Sequence, residues 1–211
     1  LFVVTTLTFS QDVQHHFYKL HYNQTTKQSD YVAYCLKPEN LNGNEERVSS
    51  FISDPSINNF EVCSKDYYKS GYDKGHLCPA GDMTFNEIAM KESFYYSNVS
   101  PQLPGFNRGI WKKLETHLRN ITSNYDSILI VTGPLFIKDL GNIGEHEVKI
   151  PSHFYKVIVA CKNEKYNGIG FVFTNEKSEK DIFDYIKTID QVEEQTKLDF
   201  FKEFQDQIEN K

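Results

Sequence analysis

The segment Gly71-Tyr72-Asp73-Lys74-Gly75-His76-Leu77-Cys78-Pro79-Ala80-Gly81 concentrates groups that can move a proton or hold a charge. An imidazole titrates near neutral pH, so His76 has the right range to take a proton from water. Gly75, beside it, lets the backbone approach another group closely. A lone loop histidine is usually inert, but this one stands next to Asp73 and Lys74 and ahead of a second polar segment. That segment runs from Phe94 to Gln102 and on through Asn107 to Glu115. On a helix, positions 107, 111 and 115 stack on neighbouring turns, because each step of four residues advances only about 40° past a full rotation. Asn107 and Glu115 then face one site, with Trp111 packed beneath. An amide oxygen and a carboxylate are hard ligands of the kind magnesium takes while keeping most of its waters. Taken singly, the same residues allow plainer roles: Asn107 as a helix N-cap and Glu115 as a solvated charge.

The elements that must position these groups can be read from periodicity. Residues 17–22 and 31–36 are aromatic, β-favouring runs joined by a turn at Asn23-Gln24-Thr25-Thr26, which predicts a hairpin. Residues 37–60 are polar and rich in Pro, Asn and Asp, and so form a long loop of the kind that often carries function. A helix is expected within 83–97. A clearer one runs from Asn107 to Arg119, where Ile110, Trp111, Leu114 and Leu118 make an apolar stripe. Residues 127–133, 154–161 and 168–174 read as strands, and 179–209 as helical. Strands gathered around a central helical region predict an α+β fold.

Bulk properties bound the function. The chain has 211 residues, 39% hydrophobic and 14% aromatic, enough for a packed core and too much for disorder. No apolar run reaches the roughly 20 residues that a membrane helix needs. A net charge of −6 speaks against a nucleic-acid partner. Its distribution weakens that objection: from Glu176 to Lys211 there are 11 acidic and 6 basic residues, a net of −5, so the rest is nearly neutral. Lys69, Lys74, Arg108, Lys112, Lys113 and Arg119 could line a groove, although Asp66, Asp73, Asp82 and Glu115 are interspersed, so any basic patch must come from folding. Leu1 to Ser10 pass from apolar to small polar residues ahead of Gln11-Asp12, like the back half of a secretory signal peptide. Residues 1–11 are therefore expected to be a leader remnant, 12–211 a single domain, and the protein secreted or periplasmic. A first β-strand is the alternative. Cys35, Cys63, Cys78 and Cys161 match no zinc spacing, and both disulfides and free thiols remain open.

Taken together, the two chemical segments resemble the DNA/RNA non-specific endonuclease family, which includes mitochondrial endonuclease G and secreted bacterial nucleases. The family motif Asp-Arg-Gly-His appears here as Asp73-Lys74-Gly75-His76. The second segment matches as Ser97-Asn98-Val99-Ser100-Pro101-Gln102, then Asn107 with Trp111-Lys112-Lys113-Leu114-Glu115. The one departure is Lys74, which keeps the charge but loses the planar fork that grips a phosphate bidentately. Weaker likeness runs from about Tyr31 to about Phe201. The resemblance implies a ββα-metal nuclease fold with a central antiparallel sheet flanked by helices. It implies hydrolysis of phosphodiester bonds in DNA and RNA that leaves 5′-phosphates.

The roles follow the same resemblance. His76 is the implied general base and Asn107 the one direct protein ligand of a magnesium ion, with manganese as the alternative metal. Glu115 would hold metal-bound waters, Asn98 would help fix the site around His76, and Arg47 would bind phosphate. Lys74 and Arg108 would touch the substrate backbone. A site that grips phosphate and metal reads little of the bases. Three rivals stand beside this reading: a catalytically silent, nucleic-acid-binding member of the fold, a phosphodiesterase for small substrates, and an antibacterial toxin using the same chemistry. Oligomeric state is open, a homodimer included.

Overall fold

The structure is a computed structural model that describes residues 10–201. The strands in chain order are β1 (Ser10–Gln14), β2 (Tyr18–Asn23), β3 (Gln28–Leu36), β4 (Asp73–His76), β5 (Val99–Gln102), β6 (Ser127–Leu135), β7 (Asn142–Ile143), β8 (Val148–Lys149), β9 (His153–Lys162), β10 (Lys165–Thr174) and β11 (Ile186–Lys187). The α-helices are α1 (Ser64–Tyr67), α2 (Glu87–Ser93), α3 (Lys112–Thr122) and α4 (Ile189–Thr196). Seven strands form one antiparallel sheet in the order β1-β2-β3-β6-β9-β10-β11. Two small pairs, β4-β5 and β7-β8, stand apart from it. The α+β expectation and the central antiparallel sheet are both found.

The sheet's two faces follow from the period of two along each strand. In β9, Phe154 and Ile158 point to the layer that holds Phe106, Ile110, Trp111, Leu114 and Leu118. Tyr155 and Val157 point the other way, to Val131, Val192 and Phe200. Both faces are covered, so the strand is apolar almost throughout, as a doubly buried strand must be. Each such side chain gains roughly 1.5–3 kcal/mol on burial.

Several elements differ from the sequence reading. Residues 107–119 are helical, but they open with a wide turn of π-helical bonding at Phe106–Trp111, broken at Gly109, before α3 begins. Regular stacking of 107 over 111 therefore fails, although the apolar stripe survives because a wide turn keeps Ile110 and Trp111 inward. Within 179–209, only α4 is α-helical among the described residues. It is preceded by a 3₁₀ turn (Ile182–Tyr185) and β11, and Lys197, in the left-handed region, ends it. Ser10 and Gln11, assigned to the leader, belong to β1, and residues 1–9 of that leader lie outside the described residues. The four cysteines are all free. Among the described residues no helix is long and apolar enough to cross a membrane.

Candidate active site

His76 ends β4, and β4 pairs with β5 so that Asp73 lies opposite Gln102 and His76 opposite Val99. This small ribbon is fastened to the main sheet by side chains. The Ser100 hydroxyl donates to the Gln28 side-chain oxygen (2.5 Å), and the Ser29 hydroxyl donates to the Ser97 carbonyl (2.7 Å). Gly75 is there because the Gln102 side chain lies against it: a Cβ at this position would come within 2.2 Å of that amide. The close approach expected at Gly75 is thus found, and its partner is Gln102.

Asn98 fixes the turn that follows the histidine. Its side-chain oxygen accepts from the Cys78 N–H (2.8 Å), and its amide nitrogen donates to the carbonyls of Cys78 (2.8 Å) and Ser93 (2.9 Å). Asn98 is fully buried and does not line the cleft described below. It ties the turn after His76 to the end of α2. The other expected site residues, Arg47, Lys74, His76, Asn107, Arg108 and Glu115, all line one cleft of about 540 Å³.

The long loop supplies one wall. Ile52 bonds to the 94–96 segment through its N–H to the Phe94 carbonyl (3.0 Å) and its carbonyl from the Tyr96 N–H (3.0 Å). The Ser97 hydroxyl and His15 both reach the Asp54 carboxylate, at 2.5 and 2.9 Å. Pinned this way, the loop places Phe51 against the imidazole, with ring centroids 5.0 Å apart, while Phe94 meets it edge-on at 5.1 Å. Arg47 rests over the Phe94 ring at 5.2 Å and Lys74 over Phe51 at 5.5 Å. Burial in this aromatic box, helped by the positive charge of Arg47, pushes the His76 pKa down to about 3. The imidazole is therefore neutral at any physiological pH, and its Nε2 is buried with no hydrogen-bond partner.

The facing wall is the wide turn. The Asn107 amide nitrogen donates to Asp73 Oδ2 (2.9 Å), which orients the amide and leaves its oxygen for another partner. Its backbone N–H is spent on the Leu103 carbonyl, so Asn107 is not an N-cap. Arg108 grips the same carboxylate with two donors, Nε at 2.8 Å and Nη2 at 2.6 Å. Burial pushes the Asp73 pKa up, but the Arg108 and Asn107 hydrogen bonds and the Arg108 charge outweigh it and hold the carboxyl ionised. Beneath lies Trp111, buried among Phe106, Phe154 and Phe173, with its indole N–H 3.4 Å from the His76 carbonyl.

Glu115 is no ordinary surface charge. Burial, with the nearby Asp82, pushes its pKa up to about 7 against the pull of Lys156, Arg119 and Arg47. Lys156 comes from β9, on the same face as Phe154 and Ile158, and stands 4.6 Å from the Trp111 ring centroid. It is fully buried and its Nζ has no hydrogen-bond partner among the described residues. Burial pushes its pKa down, while the charges of Glu115 and Asp82 oppose that. Asp82 anchors the group by accepting from Arg119 (2.6 Å) and from the Tyr34 hydroxyl (3.0 Å). Asp73 and Lys156 thus carry roles that the sequence did not disclose. Asp73 stood inside a motif but its partners lie more than 30 positions away; Lys156 gave one signal, its parity with Phe154.

Folding also gathers the positive charge. Arg47, Lys74, Arg108, Lys112 and Arg119 share the cleft with Asp73 and Glu115 as its acidic members. Lys69 lines an adjoining depression beside Lys74, and Lys113 another beside Arg108 and Lys112. The cleft fits an oxygen-ligated divalent ion: it offers an oriented amide oxygen and a carboxylate, with no thiol among its lining residues.

The sequence profile of the DNA/RNA non-specific endonuclease family matches residues 1–207. "Nuclease 1, mitochondrial" of Schizosaccharomyces pombe is 39% identical over 70% of this chain and 51% of its own length. "Mitochondrial nuclease" of Saccharomyces cerevisiae is 35% identical over 86% of this chain and 62% of its own. "Endonuclease G, mitochondrial" of Homo sapiens is 34% identical over 67% of this chain and 52% of its own. The chain therefore spans between about half and three-fifths of the length of these relatives. A crystal structure of the EndoG/EndoGI complex superposes with a TM-score of 0.89 at 31% identity, over 95% of this chain and 89% of that one. These mitochondrial relatives overturn the secreted or periplasmic location expected from the apolar start of the chain. A family profile matched along nearly the whole sequence, and the fold that accompanies it, show that the chain belongs to the DNA/RNA non-specific endonuclease family.

Proposed function

We propose that this chain is a magnesium-dependent endonuclease that hydrolyses phosphodiester bonds of DNA and RNA without reading base sequence. The observation that carries the reading is that one cleft is lined both by a neutral His76 and by an Asn107 amide oriented by Asp73. His76 takes the proton from a water that attacks phosphorus. The attack displaces the 3′-oxygen and leaves a 5′-phosphate. Burial keeps the imidazole neutral and its lone pair free at physiological pH, with a basicity below the near-neutral range that the sequence suggested.

Asn107 and Glu115 would hold the metal, and manganese would serve the same oxygen ligands. Bound there, such an ion would stabilise the charge that builds on the phosphoryl and leaving oxygens. Arg47 and Lys74 line the cleft and supply positive charge for the phosphate backbone; Arg108 adds to it while fixing Asp73. Asn98 positions His76 from behind. The relatives' names further support a mitochondrial location, which fractionation of the source cells would test.

The direct test is digestion of supercoiled plasmid and of single-stranded RNA with magnesium and with EDTA. Both substrates are expected to fall to small fragments with magnesium, and neither with EDTA. Folded protein that cuts neither with magnesium or manganese overturns the proposal. Cleavage of small diesters alone would replace it with the small-substrate reading.

A further inference from the structure

Away from the cleft, one group of side chains among the described residues brings together a thiol, a carboxylate and an imidazole: Cys63, Asp66 and His146, whose ligand atoms all lie within 4.8 Å of one another. Cys63 and His146 are 83 positions apart, so no cysteine or histidine spacing could show the group. Cys63 and Asp66 bracket the start of α1, and His146 lies on the turn between β7 and β8. The turn is folded tightly onto Asp66 by Gly144, at φ +71°, where a Cβ would come within 2.3 Å of the aspartate.

The carboxylate is already oriented without any ion. Oδ2 accepts from the Cys63 N–H (2.9 Å) and Oδ1 from the His146 N–H (3.1 Å), and both oxygens also face the His146 ring. Asp66 is buried, and its pKa is held down by these bonds and by His146 despite the opposing effect of burial. The His146 Nδ1 stands 3.0 Å from Oδ2 and 3.1 Å from Oδ1, a hydrogen-bonded contact that an ion held between the two groups would replace. Ligands of a tetrahedral zinc ion, at about 2.0–2.3 Å from the metal, lie roughly 3–4 Å from each other. The imidazole and carboxylate are near that separation, and the partly buried Cys63 completes the set with its Sγ within 4.8 Å of both.

We propose that Cys63, Asp66 and His146 form a site for a thiophilic divalent ion of the zinc class, distinct from the oxygen-lined cleft. Thiolate and imidazole select such an ion over magnesium. On binding, the Cys63 thiol gives up its proton to solvent as the S–metal bond forms. The His146 ring gives up the Nδ1 proton that faces Asp66, to solvent, and keeps one proton on Nε2, so that Nδ1 can bind, and water completes the coordination. The ion would tie α1 to the β7-β8 turn. The same short helix carries Tyr67, which lines the cleft, so the tie stiffens one cleft wall.

The test is titration of metal-stripped wild-type protein with Co²⁺, read by thiolate-to-cobalt charge-transfer absorption in the near ultraviolet. One equivalent is expected to give the band, and Zn²⁺ to remove it. The band should vanish in Cys63→Ser, weaken at least tenfold in affinity in His146→Ala, and persist in Asn107→Ala. Wild-type protein that gives no thiolate band overturns the proposal, as does a band unchanged in Cys63→Ser. None of these readings depends on nuclease activity.

Discussion

Along β9 the side chains alternate between two apolar layers, and the backbone pairs with β6 on one side and β10 along its whole length on the other. Along the cleft, the strand that carries His76 is four residues long, and the facing wall is a wide turn interrupted at Gly109. Satisfied backbone and apolar contact stabilise the first region. The second contains His76 Nε2 and, on the paired strand, both polar atoms of the Gln102 side chain, all buried without a partner among the described residues. Groups of that kind cost about 1–3 kcal/mol each, and the sheet offsets the cost. The fold and the chemistry are therefore separable: changes in the sheet should reduce stability and leave the chemistry alone, and changes in the cleft should do the reverse.

The largest expected effect is on the sheet. Leu20, buried and opposite Val32 in the β2-β3 pair, should lose about 2–5 kcal/mol of stability as Leu20→Ala. Urea unfolding measures this, and the specific activity of the folded fraction should be unchanged. A fall in activity at unchanged stability would break the separation. Next comes Asn107→Ala, which should slow plasmid cleavage about 10²–10³-fold, in the range of losing one transition-state contact, with the unfolding midpoint hardly moved. Smaller still is Asp73→Asn. It weakens the Arg108 grip and frees the Asn107 amide, so the magnesium needed for half-maximal rate should rise about 10–100-fold, as for other residues that orient a metal ligand.

The smallest effect is on pH. Burial, with Asp82 adding to it, places the Glu115 pKa at about 7, so its carboxyl gains a proton as pH falls through that value. Magnesium affinity should be full above that range and weaken below it, and Glu115→Gln should flatten the profile at the weak level. His76, pushed down to about 3, stays neutral throughout and does not set this limb.

The same contrast explains what the sequence could disclose. Strands β2, β3, β6, β9 and β10 were legible because aromatic and β-branched residues run through them. The cleft's residue types were legible from motif and spacing, but its geometry was not. β4 and β5 are four residues each, with Gly75 and Pro101 inside them, and show no alternation to read. The wide turn keeps the apolar stripe of a regular helix, so its extra residue per turn is silent. Lys156 looks outward-facing by residue type, yet it is buried, with its ammonium over the Trp111 and Tyr34 rings. Asp54, which pins the loop bearing Phe51, finds His15 and Ser97 about 40 positions away on either side.

The central claim is that a neutral His76 removes the proton from the attacking water. It is tested most directly by the rate at which His76→Ala relaxes supercoiled plasmid at saturating magnesium, compared with wild type. The account predicts a fall of about 10²–10⁴-fold, the contribution typical of a general base, in a protein that still binds DNA. A folded variant that cuts within threefold of the wild-type rate would contradict it.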